Sequence, residues 1–190
     1  MTTAVLTFDP AAHRYALGDR ELLSVTQALT NAGLIDGKWF TESAANRGTA
    51  VHRAVEQFQS TGAVSADETV APFFDAYLAF RMEAGFHLEA AEERVWDPLL
   101  GYAGTLDLRG QFTKFGAGVD VIDIKTGSVP STVGYQTAAY ARLVSGTPKR
   151  RWSLNLRADG TYRLGQLTKR TDESVFLAAL LVAQAKRGWL

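Results

Sequence analysis

Two side chains of opposite charge, Asp123 and Lys125, are separated by one apolar residue in the segment VDVIDIK, residues 119–125. Residues two apart on a β-strand project to the same face, so the carboxylate and the ammonium would lie side by side, roughly 7 Å apart along the strand. Burying both charges on a central strand is costly unless something compensates them, and a divalent cation with a bound phosphate would do so. The alternative is a plain Asp–Lys ion pair at the end of a strand, because this tripeptide is common.

A second isolated acid, Asp107, lies between apolar residues in the strand-like segment 102–109. If this segment and segment 119–125 pair as neighbours in a meander, Asp107 approaches Asp123 from the adjacent strand. Two carboxylates that share a site repel each other unless a metal ion lies between them, and their hard oxygen ligands suit Mg²⁺ or Mn²⁺. Gly104 would allow close approach of another backbone or a ligand. A solvent-facing strand acid is the alternative interpretation of Asp107.

Other polar residues could complete such a site. Gln136 and Tyr140 are four residues apart on a predicted helix and therefore share one face, although an interfacial tyrosine beside a glutamine is the plainer interpretation. His52 also lies on a predicted helix, where a lone histidine is more often a satisfied surface or core residue. His13 and His87 have no comparable neighbours in the sequence, and we expect both to be structural.

The composition of the 190-residue chain is that of an ordinary globular protein, with 46% hydrophobic and 21% charged residues. It excludes wholesale disorder, collagen-like repeats and a coiled coil. The absence of cysteine excludes disulfides, thiol catalysis, zinc fingers and cysteine-ligated iron–sulfur clusters. We expect neither a signal peptide nor a membrane span, and hence a cytoplasmic protein with one domain over residues 1–190. Its parts are a lead-in over 1–23, a core over 24–145 and C-terminal strands and a helix over 146–190.

The net charge is zero, but the charges are unevenly distributed. Residues 1–141 carry 10 Lys and Arg against 17 Asp and Glu, whereas residues 142–190 carry 10 against 3. A basic C-terminal quarter on an acidic body suits contact with a polyanion next to a carboxylate site. A solvated helix face and a basic strand edge are the alternative. The candidates for holding a nucleic-acid backbone are Lys149, Arg150, Arg151 and Arg157, with Trp152 placed to stack on a base.

Hydrophobic periodicity and turn signals predict that the chain contains both helices and strands. Helices are predicted over about residues 24–32, 38–60, 67–83, 132–144 and 172–186, with Ser24 and Asp172 as N-caps. Strands are predicted over about residues 4–8, 14–17, 90–96, 102–109, 119–125, 151–156 and 161–167, the first two forming a hairpin. Segment 119–125 is β-branched on both faces, which is typical of a central strand covered on both sides. This order predicts a mixed α/β fold with one central sheet.

Four ordered motifs resemble those of the PD-(D/E)XK nuclease superfamily, and most closely its RecB-like and Cas4-like exonuclease branch, which includes stand-alone phage nucleases. The motifs are GTAVH at 48–52, GTLD at 104–107, DIKTG at 123–127 and QTAAY at 136–140. Residues 13–15 and 24–26 also resemble the lead-in of phage members. The resemblance implies a restriction-endonuclease-like α/β core, with a central mixed sheet flanked by helices and an N-terminal hairpin and helices.

The resemblance also implies a role for each motif residue. The implied ligands of Mg²⁺ or Mn²⁺ are the side chains of His52, Asp107 and Asp123 and the backbone carbonyl of Ile124. Lys125 would assist catalysis together with the acids. Gln136 and Tyr140 would help to position DNA. Family members often carry a further glutamate on the preceding strand, where Glu92 and Glu93 both fit, and Glu93 is preferred.

The implied activity is metal-dependent hydrolysis of phosphodiester bonds in DNA, by an exonuclease of DNA recombination, repair or phage DNA processing. DNA is the implied partner, and a recombinase or helicase could deliver it. Members with an iron–sulfur cluster carry four cysteines, so this cysteine-free chain is expected to belong with the cluster-free branch. Two alternatives remain. One is a catalytically inactive DNA- or protein-binding module on the nuclease fold, and the other is a metal-dependent enzyme that acts on another phosphate ester.

Overall fold

The chain forms a β-sheet covered by helices, and the computed structural model describes residues 4–36, 41–64 and 66–190. The strands are β1 (Leu6–Asp9), β2 (Arg14–Leu17), β3 (Arg20–Ser24), β4 (Phe86–Asp97), β5 (Tyr102–Phe112), β6 (Val119–Lys125), β7 (Lys149–Leu156) and β8 (Tyr162–Gln166). The helices are α1 (Val25–Asn31), α2 (Glu42–Thr61), α3 (Ala71–Glu83), α4 (Thr132–Leu143) and α5 (Asp172–Lys186), and a short 3₁₀ helix covers Thr113–Phe115. Within the described ranges, every helix is too short or too polar to cross a membrane.

The described strands form one mixed sheet. Their order is β1-β2-β3-β5-β6-β7-β8, and β4 pairs with β5 off this path. The pairs β3–β5 and β6–β7 are parallel, whereas the other pairs are antiparallel. The meander expected from the three consecutive strand segments is therefore present as β4-β5-β6.

The sheet divides at β5, because β4 takes one edge of this strand and β3 and β6 share the other. β3 pairs with Tyr102 and Ala103 at the start of β5, while β6 pairs with residues 108–110 near its end. Between these two ladders, residues 104–107 pair with neither β3 nor β6 in the described chain. The carboxyl ends of β3 and β6, at Ser24 and Lys125, both lie at this gap, which we call the fork.

Helices cover both faces of the sheet. On one face α1, α4 and α5 pack over a core that includes Leu106, Val121 and Phe176. On the other face α2 and α3 pack over a second core that includes Phe80 and Ile122. Strand β6 lies between the two cores with its first six residues buried, as its β-branched sequence predicts.

The predicted fold class is confirmed, since a central mixed sheet is flanked by helices and preceded by a hairpin. The bounds of β6 agree with the prediction, whereas β4 and β5 are longer. Strand β3 was not predicted, because five residues between a hairpin and a helix cap carry little periodicity of their own. Residues 38–40 of the second predicted helix lie outside the described residues.

The two predicted helix caps have different outcomes. Ser24 caps α1 as predicted, since its hydroxyl accepts from the Gln27 backbone and the Gln27 side chain accepts from the Ser24 backbone. Asp172 is not the N-cap of α5, because Thr171 occupies that position. Instead, the Asp172 carboxylate lies 3.0 Å from Nη1 of Arg151, so this acid ties the helix to strand β7.

Candidate functional site

Four side chains from four different elements converge on a cavity at the fork. They are His52 of α2, Glu92 of β4, Asp107 of β5 and Asp123 of β6. His52 Nδ1 lies 3.0 Å from Glu92 Oε1 and 3.6 Å from Asp107 Oδ1. The structure therefore brings His52, Asp107 and Asp123, the side chains that the sequence proposed as metal ligands, together in one cavity.

The carboxylate of Asp107 replaces a missing rung of the β5–β6 ladder. Beyond the pair Leu108↔Ile122 the two strands separate, and the backbone N–H of Ile124 donates to Asp107 Oδ2 at 2.5 Å. A buried N–H needs such a partner, so this contact holds the end of β6 against β5. The other oxygen of Asp107 faces His52. One carboxylate thus both anchors the strand and contributes to the cluster.

Lys125 and Asp123 form the ion pair that their spacing predicts. Lys125 Nζ lies 2.6 Å from Asp123 Oδ2, and the side chain of Asp123 is 5% exposed against 24% for that of Lys125. Both residues pair with β7 but lie beyond the last β5–β6 pair, so their side chains border the fork on the β5 side. Both line the cavity that contains Asp107.

The upstream acid in the cluster is Glu92, and the preference for Glu93 was wrong. Glu92 lies opposite Asp107, between the paired rows Ala91↔Leu108 and Glu93↔Leu106. It has a φ of 49°, a left-handed conformation that breaks the regular alternation of side chains along β4. Glu93 is bound elsewhere, because its two oxygens accept from Nε of Arg109 at 2.6 Å and from Nη2 at 3.2 Å.

Burial and the neighbouring charges set the protonation states of the cluster. Desolvation alone would lower the pKa of His52, but Asp107, Glu92 and Asp123 outweigh it and raise this pKa to about 9. Desolvation raises the pKa of Asp123 to about 6 despite the nearby ammonium, and it also raises the pKa of Asp107. Desolvation would lower the pKa of Lys125, but Asp123 and Asp107 hold it above its ordinary value. Lys125 is therefore a cation at neutral pH.

Helix α4 closes the fork with the two residues that the sequence placed on one face. Gln136 lines the cavity, and Tyr140 lines it with only 7% of its surface exposed. Burial, and then the carboxylates of the cluster, raise the pKa of Tyr140 well above 10, so its hydroxyl remains protonated. Gly104 makes room for the ring, because a Cβ there would lie 2.6 Å from Tyr140 Cε1. The predicted close approach at Gly104 is thus to a side chain of α4.

The cavity at the cluster, about 210 Å³, adjoins a larger groove of about 770 Å³. Their linings share Thr26, His52, Lys125 and Gln136. The groove runs between the N-terminal ends of α2 and α4. A long, narrow ligand could therefore lie in the groove with one part inside the acidic cavity.

The predicted nucleic-acid contacts at the start of β7 lie away from the cluster. In the parallel β6–β7 register Lys149 is opposite Val119, four rows from Asp123, or roughly 13 Å along the strand. The prediction that Trp152 stacks on a base is wrong. Its side chain is buried, its indole N–H donates to Asp120 Oδ1 at 2.7 Å, and its ring stacks on Phe115.

The two arginines in this segment have protein partners. Arg150 donates to both oxygens of Asp120, at 2.7 and 2.9 Å. Arg151 donates to the Asp172 carboxylate and to the backbone carbonyls of Gly134 and Lys169. Both guanidinium groups therefore hold the protein together, contrary to their predicted role in contacting DNA. A DNA contact by Lys149, which is exposed, stays a prediction.

The donor set at the cluster fits a divalent cation. His52, Glu92 and Asp107 each offer one ligand atom, and these atoms lie within 4.8 Å of one another. Two carboxylates with an imidazole suit Mn²⁺, and carboxylates with water suit Mg²⁺. The raised pKa values of Asp107 and Asp123 agree with this, since desolvation disfavours their charge and a bound cation would stabilise it. Metal binding by Asp123 and by the Ile124 carbonyl stays a prediction.

Comparisons with known proteins relate the chain to others through its fold. No family model matches the chain, and no curated protein matches it. A crystal structure described as a candidate exonuclease from Eubacterium rectale superposes with a TM-score of 0.58 at 13% identity, covering 89% of this chain and 82% of that one. An alkaline exonuclease from Laribacter hongkongensis gives a TM-score of 0.39 at 14% identity, covering 88% and 92%. The first likeness establishes a common fold, and the second is too low to add to it.

Proposed function

We propose that this protein is a divalent-metal-dependent deoxyribonuclease of the PD-(D/E)XK type. The observation that carries the proposal is the convergence of Asp107, Asp123 and Lys125 with His52 and Glu92 in one cavity at the fork. The likeness in fold to the candidate exonuclease agrees with this proposal. A structural core would place such charges in saturated pairs, not around a cavity.

The metal site would consist of His52, Glu92, Asp107 and Asp123. A bound Mg²⁺ or Mn²⁺ would lower the pKa of a water ligand and polarise the scissile phosphate. The protein orients this site through the contact of Asp107 with the Ile124 backbone, which fixes the end of β6. His52 must lose its proton to act as a ligand, because only the neutral imidazole binds metal.

Lys125 would stabilise the negative charge that develops on the phosphate. Its raised pKa keeps it cationic, which makes it an electrostatic donor and a poor general base. One cation at about 4 Å contributes roughly 4 kcal/mol at an effective dielectric constant near 20, or about a thousandfold in rate. We therefore expect Lys125→Met to lower kcat by about this factor and to leave DNA affinity nearly unchanged. Lys169→Met, at an exposed lysine, is the matched control.

DNA would lie in the groove with the scissile phosphate in the cavity. Gln136 lines both spaces and can contact the strand as it passes from one to the other. The acidic cavity by itself repels a phosphate, so a bound metal ion would be needed to hold the scissile phosphate there. An exonuclease of recombination, repair or phage DNA processing, supplied by a recombinase or helicase, is the more specific form of the proposal.

The test is cleavage by the full chain with Mn²⁺ or Mg²⁺ of linear DNA, closed circular DNA, RNA and nucleotides. We expect DNA with free ends to be digested and Asp123→Asn to reduce the rate by roughly a thousandfold, since several kcal/mol of charge stabilisation is lost. Asp75→Asn makes the same change at an exposed site on α3 and should be silent. Activity unchanged in Asp123→Asn would sink the proposal. DNA binding without cleavage would identify an inactive binding module, and cleavage of nucleotides alone another phosphoesterase.

A further inference from the structure

His13, which the sequence suggested was structural, lies on the wall of the acidic cavity. It is in the turn between β1 and β2, and it lines the same cavity as Asp107, Asp123 and Lys125. The sheet order explains this placement. β1 and β2 extend the sheet on the β3 side of the fork, whereas Asp123 and Lys125 approach from the β6 side.

The turn holds the His13 imidazole in a defined position. His13 has a φ of 48°, a left-handed conformation that is uncommon for a residue with a side chain. Its ring packs edge-on against Phe8 at 5.4 Å and Tyr15 at 6.0 Å between ring centroids. Its backbone carbonyl accepts from the Gln27 side chain, and the Asp9 carboxylate accepts from the two N–H groups of Ala11 and Ala12.

The imidazole has hydrogen-bonding capacity that the protein does not use. Among the described residues, both nitrogens of His13 are without a hydrogen-bond partner, although ring contacts on two sides restrict the side chain. The exposed imidazole of this turn therefore has free hydrogen-bonding capacity at the wall of the cavity, where a ligand could use it.

The two sides of the cavity differ in charge. Glu92, Asp107 and Asp123 make one side acidic, whereas His13 and Thr26 on the β3 side offer hydrogen-bond donors to the cavity. A DNA strand that presents its scissile phosphate to the acidic side must direct its next phosphate away from those carboxylates. Donors on the β3 side are the groups to which a second phosphate could bind.

We propose that His13 contacts the substrate and binds a phosphate that flanks the scissile phosphate of the DNA strand. This rests on the proposed nuclease function and adds to it the residue that would set the position of the DNA strand in the cavity. The contact is a hydrogen bond from a ring N–H to a phosphate oxygen. No bond is made or broken at His13.

The first test compares His13→Asn with the wild-type protein. Asparagine tolerates a positive φ, so this change keeps the turn and removes the imidazole. We expect single-turnover cleavage of linear DNA at subsaturating concentration to fall about tenfold, since a hydrogen bond to a charged group is lost. The melting temperature should stay the same. His87→Asn, at an exposed histidine on β4, should cleave like wild type.

The second test locates the contact on the DNA. A neutral methylphosphonate replaces one phosphate at a time along a linear duplex, and cleavage by wild type and His13→Asn is compared. We expect one linkage next to the cleaved bond to cost wild type about tenfold and to cost the variant nothing further, because both changes remove the same contact. Equal sensitivity of the two proteins at every linkage, or full activity of His13→Asn, would overturn the inference. A wild-type protein that cleaves no DNA would instead overturn the proposed function.

Discussion

Strand β6 carries two buried aspartates three residues apart, and their carboxylates have very different numbers of hydrogen-bond partners. Asp120 is fully buried and accepts four hydrogen bonds, two from Arg150, one from the indole of Trp152 and one from the backbone N–H of Phe112. Asp123 has the ammonium of a neighbouring lysine at 2.6 Å and otherwise borders the cavity.

This difference separates a structural carboxylate from a candidate ligand. Four donors compensate the burial of the Asp120 charge and leave little capacity for a further ligand. Asp123 is desolvated without equivalent compensation, so its pKa rises to about 6. A buried carboxylate that has few donors and faces a cavity is a better indication of a metal or substrate site than an Asp–cation pair as such.

The largest expected effect comes from making the same amide substitution at both positions. Asp120→Asn leaves the guanidinium of Arg150, whose side chain is 11% exposed, without its anion, and we expect a loss of about 3–5 kcal/mol in the free energy of unfolding. Asp123→Asn should not lower it, because the charge of Asp123 is desolvated without equivalent compensation. Denaturant unfolding of the two metal-free variants measures both values. Equal stability losses would contradict the distinction between the two carboxylates.

Gly104→Ala tests whether the packing around the fork is as tight as that around Asp120. The added methyl would lie 2.6 Å from a ring carbon of Tyr140, so this side chain must move. We expect a stability loss of about 1–3 kcal/mol, typical of overpacking, together with weaker nuclease activity. Gly127→Ala adds a methyl where no heavy atom lies within 4 Å and serves as the control. Thermal unfolding of both variants, with no difference between them, would argue against close packing at Gly104.

The raised pKa of Asp123 predicts a pH dependence for the stability of the metal-free protein. Because the folded protein holds this proton more tightly than the unfolded chain, the associated stability is present below pH 3.8 and is lost as pH rises through about 6. His52 gives the same sign in a higher window, from pH 6.5 to about 9. The stability of wild type relative to Asp123→Asn should therefore fall between pH 4 and 6. Urea unfolding across this range measures the difference, and a constant difference would contradict the raised pKa.

The smallest effects compare the adjacent acids of β4. Glu92→Gln removes a carboxylate from the metal-binding cluster. We therefore expect the cleavage rate to fall by about tenfold and the Mn²⁺ concentration for half-maximal activity to rise. Glu93→Gln breaks a partly exposed ion pair with Arg109 and should cost less than about 1 kcal/mol of stability with activity retained. Manganese titrations of the cleavage rate distinguish the two. The reverse pattern would restore Glu93 as the functional acid.

Much of the fold was predictable because its signals are local. The β-branched residues of β6, the Ser24 N-cap and the helical spacing of Gln136 and Tyr140 each depend on neighbours within a few positions. The approach of Asp107 to Asp123 followed from one further assumption, that consecutive strand segments form a meander. These inferences hold because side-chain periodicity and cap chemistry are properties of a short stretch of chain.

Other parts of the site depended on contacts that no short segment encodes. The conformation of Glu92 determines which of two adjacent acids reaches the cluster, and a carboxylate on the neighbouring strand makes Trp152 and Arg150 structural. His13 gains its position only because the sheet divides at β5 and brings the first hairpin to the fork.

The sequence by itself determined the order of the elements apart from β3, the mixed α/β class and the side-by-side placement of Asp123 and Lys125, since backbone periodicity is a local property. Only the tertiary structure decided which charges are saturated and which face a cavity. Pairings between residues far apart in the chain set the strand register, the separation of β3 from β6 and the burial of each group. Burial in turn sets the desolvation of each charged group, which distinguishes a functional site from a structural core.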